Sequence, residues 1–351
     1  MTISGKAFGN KAYDSRGNEI PASNLHPDNY ARFAEYMFTI AKHFRDVEGL
    51  PVRAISPINE PQWGWGSGWI SQEGSYYTPK EVGDILKAFV DKRAEMGLHD
   101  IEIHGPESGD ISHRETKEYL KEMYGVHGLQ EAIPTFAVHS YWNDNNTRAK
   151  KRFGEYMRKN YPDIKVAQTE WCHMENGRDE GMNSAVRMSR VISDDINYLY
   201  AVSWEFWIAV SPYIYNDSLV YINGRNRDSG GNRRFPVDYH YYFPKRYYAM
   251  AQYSRFIESG DVIIGSSLNW GGKSNNISAL TVKKADGLIV IVLVNRGNRD
   301  VNVRIKGVEG GFTRYVTDND YSMRRGRHSD KDSESKVFIG GKSVTTLVVR
   351  A

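Results

Sequence analysis

The sequence is poor in cysteine. Among 351 residues there is one, Cys172, which excludes an internal disulfide framework but leaves the compartment open, because a chain of this length can fold on its core alone. It also lacks an excess of one charge. Forty-six Lys and Arg stand against 43 Asp and Glu, a net charge of +3, too small a surplus for nucleic acid as a partner. Apolar runs such as Leu288 to Val294 fall far short of the ~20 residues that cross a bilayer, so no membrane partner is expected either. Met1 to Gly9 has neither the basic start nor the apolar stretch of a secretory leader. The beginning therefore reads as internal. Hydrophobic residues at 40% and charged residues at 25% are those of an ordinary globular protein, and the length suits about two domains at roughly 150 residues each.

What the chain has in surplus is aromatic. There are 23 Tyr and 8 Trp, many beside Asn, Asp and Gly. Such side chains carry flat apolar faces with polar edges, which suits stacking on sugars as well as core packing.

Periodicity then gives the organisation. Between His26 and Gly49, Phe33, Met37, Ile40 and Phe44 recur at three- and four-residue spacing, a helix. Val52 to Ile58 is a short apolar run, and a Gly/Trp-rich loop leads to Thr78-Pro79-Lys80-Glu81, where a capping box and a first-turn proline open a second helix ending near Gly97. Strands at Ile101 to His104, Thr135 to Ser140, Ile164 to Thr169 and Ala201 to Trp207 alternate with helices at Thr116 to Tyr124, Ala149 to Asn160, Met182 to Tyr198 and Lys245 to Ile257. This alternation, with long loops rich in Trp, Tyr and His after the strands, predicts a β/α barrel over residues 1–258. The rival is a doubly wound open sheet. It would need a phosphate-binding glycine loop to bind nucleotides, and no strand-to-helix turn supplies one, so no cofactor is expected. Past Gly260 the pattern changes to short alternating runs, Asp261 to Leu268, Ile277 to Lys283, Leu288 to Asn295, Val301 to Ile305 and Val344 to Val349, with turns such as Asp286-Gly287. An all-β side domain over residues 259–351 follows. The mixed-sign stretch Arg324 to Lys336 reads as a solvated loop.

In a parallel barrel the strand ends converge on one mouth. Two of them end in a carboxylate: Ser56-Pro57-Ile58-Asn59-Glu60-Pro61 and Gln168-Thr169-Glu170-Trp171. A lone strand-end Glu is most simply a turn cap or the partner of an arginine. Two facing each other at about 5 to 5.5 Å instead form the acid and nucleophile of a retaining glycosidase. Asn59 is placed to bond the sugar hydroxyl beside the reacting carbon. Trp171, Trp204 and Trp207 can form an apolar floor that keeps Glu60 protonated, with core packing an equal alternative for each. Trp63, His139 and Tyr141 are further candidate sugar contacts. A metal-dependent hydrolase built on His104, His139, His173 and Glu107 lacks any paired ligand spacing such as His-x-His, so no metal is expected.

These residues resemble glycoside hydrolase family 30, the retaining glycosidases with a β/α barrel and a β side domain. The likeness rests on Ser56-Pro57-Ile58-Asn59-Glu60-Pro61, Gln72-Glu73-Gly74, His139-Ser140-Tyr141-Trp142, Thr169-Glu170-Trp171, Ser203-Trp204-Glu205-Phe206-Trp207 and Pro244-Lys245-Arg246-Tyr247-Tyr248, in that order. It implies Glu60 as acid/base after a fourth barrel strand and Glu170 as nucleophile after a seventh, with a polysaccharide or oligosaccharide as substrate. Ala209-Val210-Ser211-Pro212-Tyr213 and Asp217 to Ile222 are most similar to the endo-β-1,6-galactanase branch. Arg225, Arg227, Arg233 and Arg234 lie where the glucuronoxylanase branch binds an acidic sugar. On this numbering only five barrel strands are found, so a TIM-type (β/α)8 barrel would lack its first three β/α units, with Met1 to Gly5 matching the loop after the third strand. The expectation is a fragment, monomeric when complete and secreted or periplasmic by resemblance. A protein that only binds carbohydrate is the reading of another class.

Overall fold

A computed structural model gives the protein's structure and describes residues 10–13, 15–65, 74–222, 241–268, 276–307, 311–328 and 335–350. The Met1 to Gly5 stretch, Gln72 and Glu73, and the four arginines at 225, 227, 233 and 234 lie outside the described residues. The chain forms two compact units, one of Met1–Glu170 with Tyr198–Glu205 and one of Trp171–Asn197 with Phe206–Ala351.

The first unit opens with an antiparallel hairpin of β1 (Asn10–Tyr13) and β2 (Glu19–Ala22). Helix α1 (Tyr30–Asp46) follows, burying Tyr30, Ala34, Met37, Phe38 and Ala41. The sequence pattern picked a neighbouring stripe: Phe33, Ile40 and Phe44 are only half-buried. Two alanines escaped the search for large apolar residues, yet their small side chains let the helix approach the core closely. Strand β3 (Ala54–Ile55) leads through the candidate site to α2 (Pro79–Glu95). The start of α2 is as expected, with Glu81 N–H donating to Thr78 Oγ1 (3.3 Å) and Thr78 N–H to Glu81 Oε2 (2.8 Å).

The strand at 102–108 is bent at His104 into β4 (Glu102–Ile103) and β5 (Gly105–Ser108). β4 pairs in parallel with β3, and β5 starts a parallel sheet. After α3 (Arg114–Leu120) that sheet continues through β6 (Thr135–His139), α4 (Thr147–Asn160), β7 (Lys165–Glu170) and, past the second unit's α5 (Met182–Asp194), β8 (Ala201–Trp204), in the order β5-β6-β7-β8. The result is an arc of five parallel strand positions with helices between them, the wall of a TIM-like barrel. β6 reads Thr-Phe-Ala-Val-His and is buried throughout, as a strand covered on both faces must be. Register shifts fall between Pro106 and Ser108 and between Val138 and His139. Such irregularities re-aim side chains, here those of Glu107 and His139.

The second unit carries α5, the short strands β9 (Val210–Ser211), β10 (Val220–Ile222) and β11 (Tyr241–Tyr242), helix α6 (Lys245–Ser254) and a β-sandwich. Its larger sheet has the order β12-β13-β14-β19-β16-β17, from β12 (Val262–Ile264), β13 (Ile277–Lys283), β14 (Leu288–Asn295), β16 (Phe312–Thr317), β17 (Arg324–His328) and β19 (Ser343–Arg350). The smaller is the ribbon of β15 (Val301–Ile305) and β18 (Ser335–Ile339). Val337 and Ile339 of that ribbon pack with Ile289, Ile291, Leu293 and Leu347 of the larger sheet. On the larger sheet Thr346 Oγ1 donates to Gln252 O of α6 (2.8 Å). With partners on both faces, β14 is buried nearly end to end, which explains its unbroken apolar run.

The predicted solvated loop at Arg324 to Lys336 is instead β17 and the start of β18, with residues 329–334 outside the described residues. Strand β16 carried no expectation at all. Both are strands because β19 and β16 offer them ladder partners, while Arg314, Arg324 and Arg325 hide the alternation a sequence reader looks for. Among the described residues, no helix is long and apolar enough to cross a membrane.

Candidate active site

Four segments of the first unit deliver the site. After β3 the chain turns at Glu60, whose φ of 44° is left-handed. Its N–H donates to the carbonyl of Glu107 (2.9 Å), and its own carbonyl accepts from Trp65 Nε1 (3.0 Å). Glu107, within β5, also has positive φ, at 57°. Left-handed backbone at a residue with a side chain costs on the order of 1–3 kcal/mol, and such strain gathers at functional sites. β6 ends in His139 and β7 in Glu170. Gln168 Nε2 donates to the Glu170 carbonyl (2.5 Å), and Ser140 N–H also reaches it (3.2 Å), fixing the last residue of the strand.

His139 is at the centre, 1% exposed. Its Nδ1 lies 2.9 Å from Glu60 Oε1 and 3.9 Å from Glu170 Oε1, and its Nε2 lies 3.4 Å from Glu107 Oε2. Tyr141 OH donates to Glu170 Oε1 at 3.1 Å. Glu107 is buried and also accepts from the hydroxyls of Ser56 and Thr169. One oxygen of Glu60, one of Glu170 and a nitrogen of His139 lie within 4.8 Å of one another.

The electrostatics follow from these contacts. Burial disfavours charge on His139, but Glu170, Glu107 and Glu60 together outweigh it and lift its pKa well above the ordinary 6.5. Burial would likewise raise Glu107, but hydrogen bonds and charge from His139, with Ser56 and Thr169, bring it below the ordinary value. Glu170 goes the other way: burial raises it, the charge of Glu60 adds to that, and His139 and Tyr141 offset only part. Both ring nitrogens of His139 thus face carboxylate oxygens, an arrangement that favours the imidazolium. The Glu60, His139 and Glu170 atoms also have the spacing of a metal-ligand group, with His139 Nδ1 already in hydrogen-bond reach of Glu60 Oε1.

The remaining expected contacts separate. Asn59 is half-buried directly before Glu60. Half-buried Trp63 meets His113 and Trp142 edge-on, at 5.4 and 6.0 Å between ring centres. Trp204 is half-buried at the end of β8, opposite Gln168 in register. Trp171 and Trp207 belong to the second unit. There Trp171 is buried, stacks on His173 and meets Phe206 edge-on, while Trp207 is half exposed and its N–H donates to Trp171 O (2.9 Å). Within the first unit, Glu60 meets the imidazolium rather than an apolar floor, and buried His139 can act on a sugar only through the carboxylates it pairs with. Sequence reasoning gave Glu107 no role here. The criterion that selected Glu60 and Glu170, a carboxylate where a barrel strand ends, applies equally to His104-Gly105-Pro106-Glu107-Ser108. Exposed Trp142 was also missed.

One oxygen of Glu60 lies within 4.8 Å of one of Glu170, on the short side of the separations that glycosidases use. Inverting enzymes hold their two carboxyl groups about 6.5–9.5 Å apart, retaining enzymes about 5–5.5 Å.

Comparisons with known proteins give the family. Residues 2–221 match the family model described as O-Glycosyl hydrolase family 30, and residues 262–347 match the glycosyl hydrolase family 30 beta sandwich domain. A search of the curated proteins finds no match. Among solved structures, a GH30 endoxylanase from Clostridium papyrosolvens C71 superposes with a TM-score of 0.71 at 18% identity, over 99% of this chain and 77% of that one. A conserved exported protein from Bacteroides fragilis gives 0.74 at 21% identity, over 93% and 71%. An endo-beta1,6-glucanase gives 0.62 at 19% identity, over 95% and 67%. At these identities the structures share the fold. With the greater part of its length matched by the family model, the chain belongs to glycoside hydrolase family 30, whose members are retaining glycosidases.

Proposed function

We propose that this glycosidase cleaves a β-linked polysaccharide by double displacement, with Glu170 as nucleophile and Glu60 as acid/base. The observation that carries the assignment is the approach of their oxygens to within 4.8 Å. In the first step a Glu170 oxygen bonds to the anomeric carbon as the glycosidic bond breaks, and protonated Glu60 gives its proton to the departing oxygen. In the second, ionised Glu60 takes a proton from water, whose oxygen displaces Glu170 from the same carbon. Configuration is retained and Glu60 ends protonated. Within the first unit, Asn59, Trp63, Tyr141 and Trp204 are the sugar contacts of this reading, and His139 belongs to it through Glu60. The barrel, lacking its first three β/α units, takes residues 1–258 and the side domain 259–351, and the full-length protein is a monomer, secreted or periplasmic by family resemblance.

The preferred substrate is β-1,6-galactan, supported by the galactanase-like segments Ala209 to Tyr213 and Asp217 to Ile222. Structural neighbours titled as an endoxylanase and an endo-beta1,6-glucanase favour glucuronoxylan and β-1,6-glucan as second readings. The test is a panel of these three polysaccharides, on this chain and on one extended at its N-terminus, reading reducing-sugar release and product anomer by NMR. Release from galactan with retained configuration is expected. Release from another polysaccharide rejects the specificity, an inverted product rejects the roles, and retention of polysaccharide without product gives a carbohydrate-binding protein.

A further inference from the structure

The family reaction needs two carboxyl groups, but this site holds three around one imidazole. Glu107 is the extra one. It is buried, it does not share the three-atom cluster of Glu60, His139 and Glu170, and it lies across the His139 ring from Glu60, facing Nε2 while Glu60 faces Nδ1. A buried carboxylate is expensive to keep unless it is paired and hydrogen-bonded. Here Ser56, Thr169 and His139 together satisfy it. Its backbone carbonyl also receives the N–H of Glu60, so one residue holds the acid/base by the main chain and through the histidine.

We infer that Glu107 is a positioning residue whose negative charge keeps His139 a cation, so that Nδ1–H fixes the Glu60 carboxyl group and the imidazolium charge holds Glu170 ionised for attack. This rests on the proposed roles of Glu60 and Glu170. The groups facing His139 are Glu60 from the loop after β3, Glu107 from β5, Tyr141 after β6 and Glu170 from β7, while Glu205 after β8 interacts with it through charge alone. Three of these are carboxyl groups whose charge favours the cation, and removing Glu107 takes one of them away. Without Glu107, burial pulls the histidine toward neutrality and Glu170 loses part of the attraction that opposes its own protonation.

The test uses Glu107→Gln, which keeps the shape and removes the charge. Imidazole ¹H–¹⁵N spectra of the full chain, with His139 assigned by its loss in His139→Gln, are expected to show both nitrogens protonated in the native protein at pH 8. In Glu107→Gln the proton should leave at a lower pH than in the native protein, because one of the three carboxylates that favour it is gone. With the melting temperature held, kcat should fall about 10- to 100-fold with KM changed less than about twofold, the range for a misplaced proton donor. The pH profile should narrow from both sides, and Glu107→Asp should restore part of it. A neutral His139 in the native protein overturns the inference, as does a Glu107→Gln enzyme with reduced activity but an unmoved profile. If Glu107→Gln does not fold, Ser56→Ala decides by the same readouts, since it removes one donor from Glu107 and should shift the profile in the same direction. Failure of the underlying reading looks different: Glu60→Ala and Glu170→Ala would then turn over like the native protein, while the histidine spectra would still report its charge.

Discussion

The backbone N–H of Glu60 donates to the carbonyl of Glu107, and both residues hold left-handed φ angles, 44° and 57°. Two strained residues from different strand ends are thereby locked together, each making the other's conformation harder to leave. Interiors tolerate such strain only where surrounding contacts fix it, and Trp65 Nε1 on the Glu60 carbonyl is one of them. Reactive geometry is built into the main chain before any substrate arrives.

The first expectation concerns acid pH. As the proposed nucleophile Glu170 acts only when ionised, and burial with the charge of Glu60 pushes its pKa above the usual carboxylate value. Activity is therefore lost as pH falls through a value above about 4.3, and the acid limb of kcat/KM marks it. An acid limb below the ordinary carboxylate value would contradict the burial argument. On the alkaline side the sign reverses. His139 is raised well above 6.5, so its contribution to stability is complete below that value and is lost as pH rises through its folded pKa. Denaturant unfolding across that range should show the decline.

Tyr141 tests the nucleophile separately. Its hydroxyl donates to Glu170 Oε1 at 3.1 Å, a bond to an ionised group, which contributes about 1.5–3 kcal/mol. Tyr141→Phe should lower kcat/KM by roughly 10- to 100-fold on that scale and move the acid limb upward, because the bond favours the carboxylate. Steady-state kinetics at several pH values would show both, and a fall in rate without the shift would assign Tyr141 to the substrate instead.

How far the sequence revealed this follows from what each feature depends on. The capping box at Thr78, the hairpin turn at Gly287 with φ 86°, and the strands Ile277–Lys283 and Leu288–Asn295 are set by neighbours in sequence and were legible. Glu60 and Glu170 were legible as strand-end carboxylates. The histidine between three carboxylates was not, because it joins side chains 31 to 79 residues apart whose approach depends on register shifts in β5 and β6. Strands β16 and β17 escaped for a related reason: partners supplied by other strands, not their own polar sequences, make them strands.

Gly109 gives a steric test of the acid/base. A Cβ there would lie 2.5 Å from Glu60 Oε1 and 2.8 Å from Trp63 Nε1. Gly109→Ala should therefore push the Glu60 carboxyl group off His139 while leaving the helices and strands intact. A loss of about 10²-fold in kcat is expected for poor leaving groups, with much less for activated aryl glycosides that need no proton. Equal losses for both substrate types would place the damage elsewhere.

A chelator should change nothing. Although Glu60, His139 and Glu170 have ligand spacing, the proposed reaction uses the two carboxyl groups alone, and carboxylates face both imidazole nitrogens. Incubation with EDTA followed by assay is expected to leave the rate within error, and a loss restored by added zinc would show that the histidine is neutral in the working enzyme.

The last expectation lies in the second unit and explains a motif the chemistry does not use. Arg246, fully buried, donates from Nη2 to Tyr221 OH (2.6 Å) and Ser218 O (3.1 Å), and from Nη1 to Ser184 Oγ (2.8 Å), Asp179 O (3.2 Å) and Asn216 Oδ1 (3.3 Å). One guanidinium thus ties the start of α5, the segment before β10 and α6 into a single body. Arg246→Ala leaves several buried acceptors without a donor and opens a cavity, each orphaned group costing about 1–3 kcal/mol. The expected loss exceeds about 3 kcal/mol in denaturant unfolding, among the larger effects of a single substitution. Arg246→Lys should recover little of it, since a single ammonium cannot reach partners spread around a planar fork. A lysine variant as stable as the native protein would mean that charge, not the fork, holds the unit together.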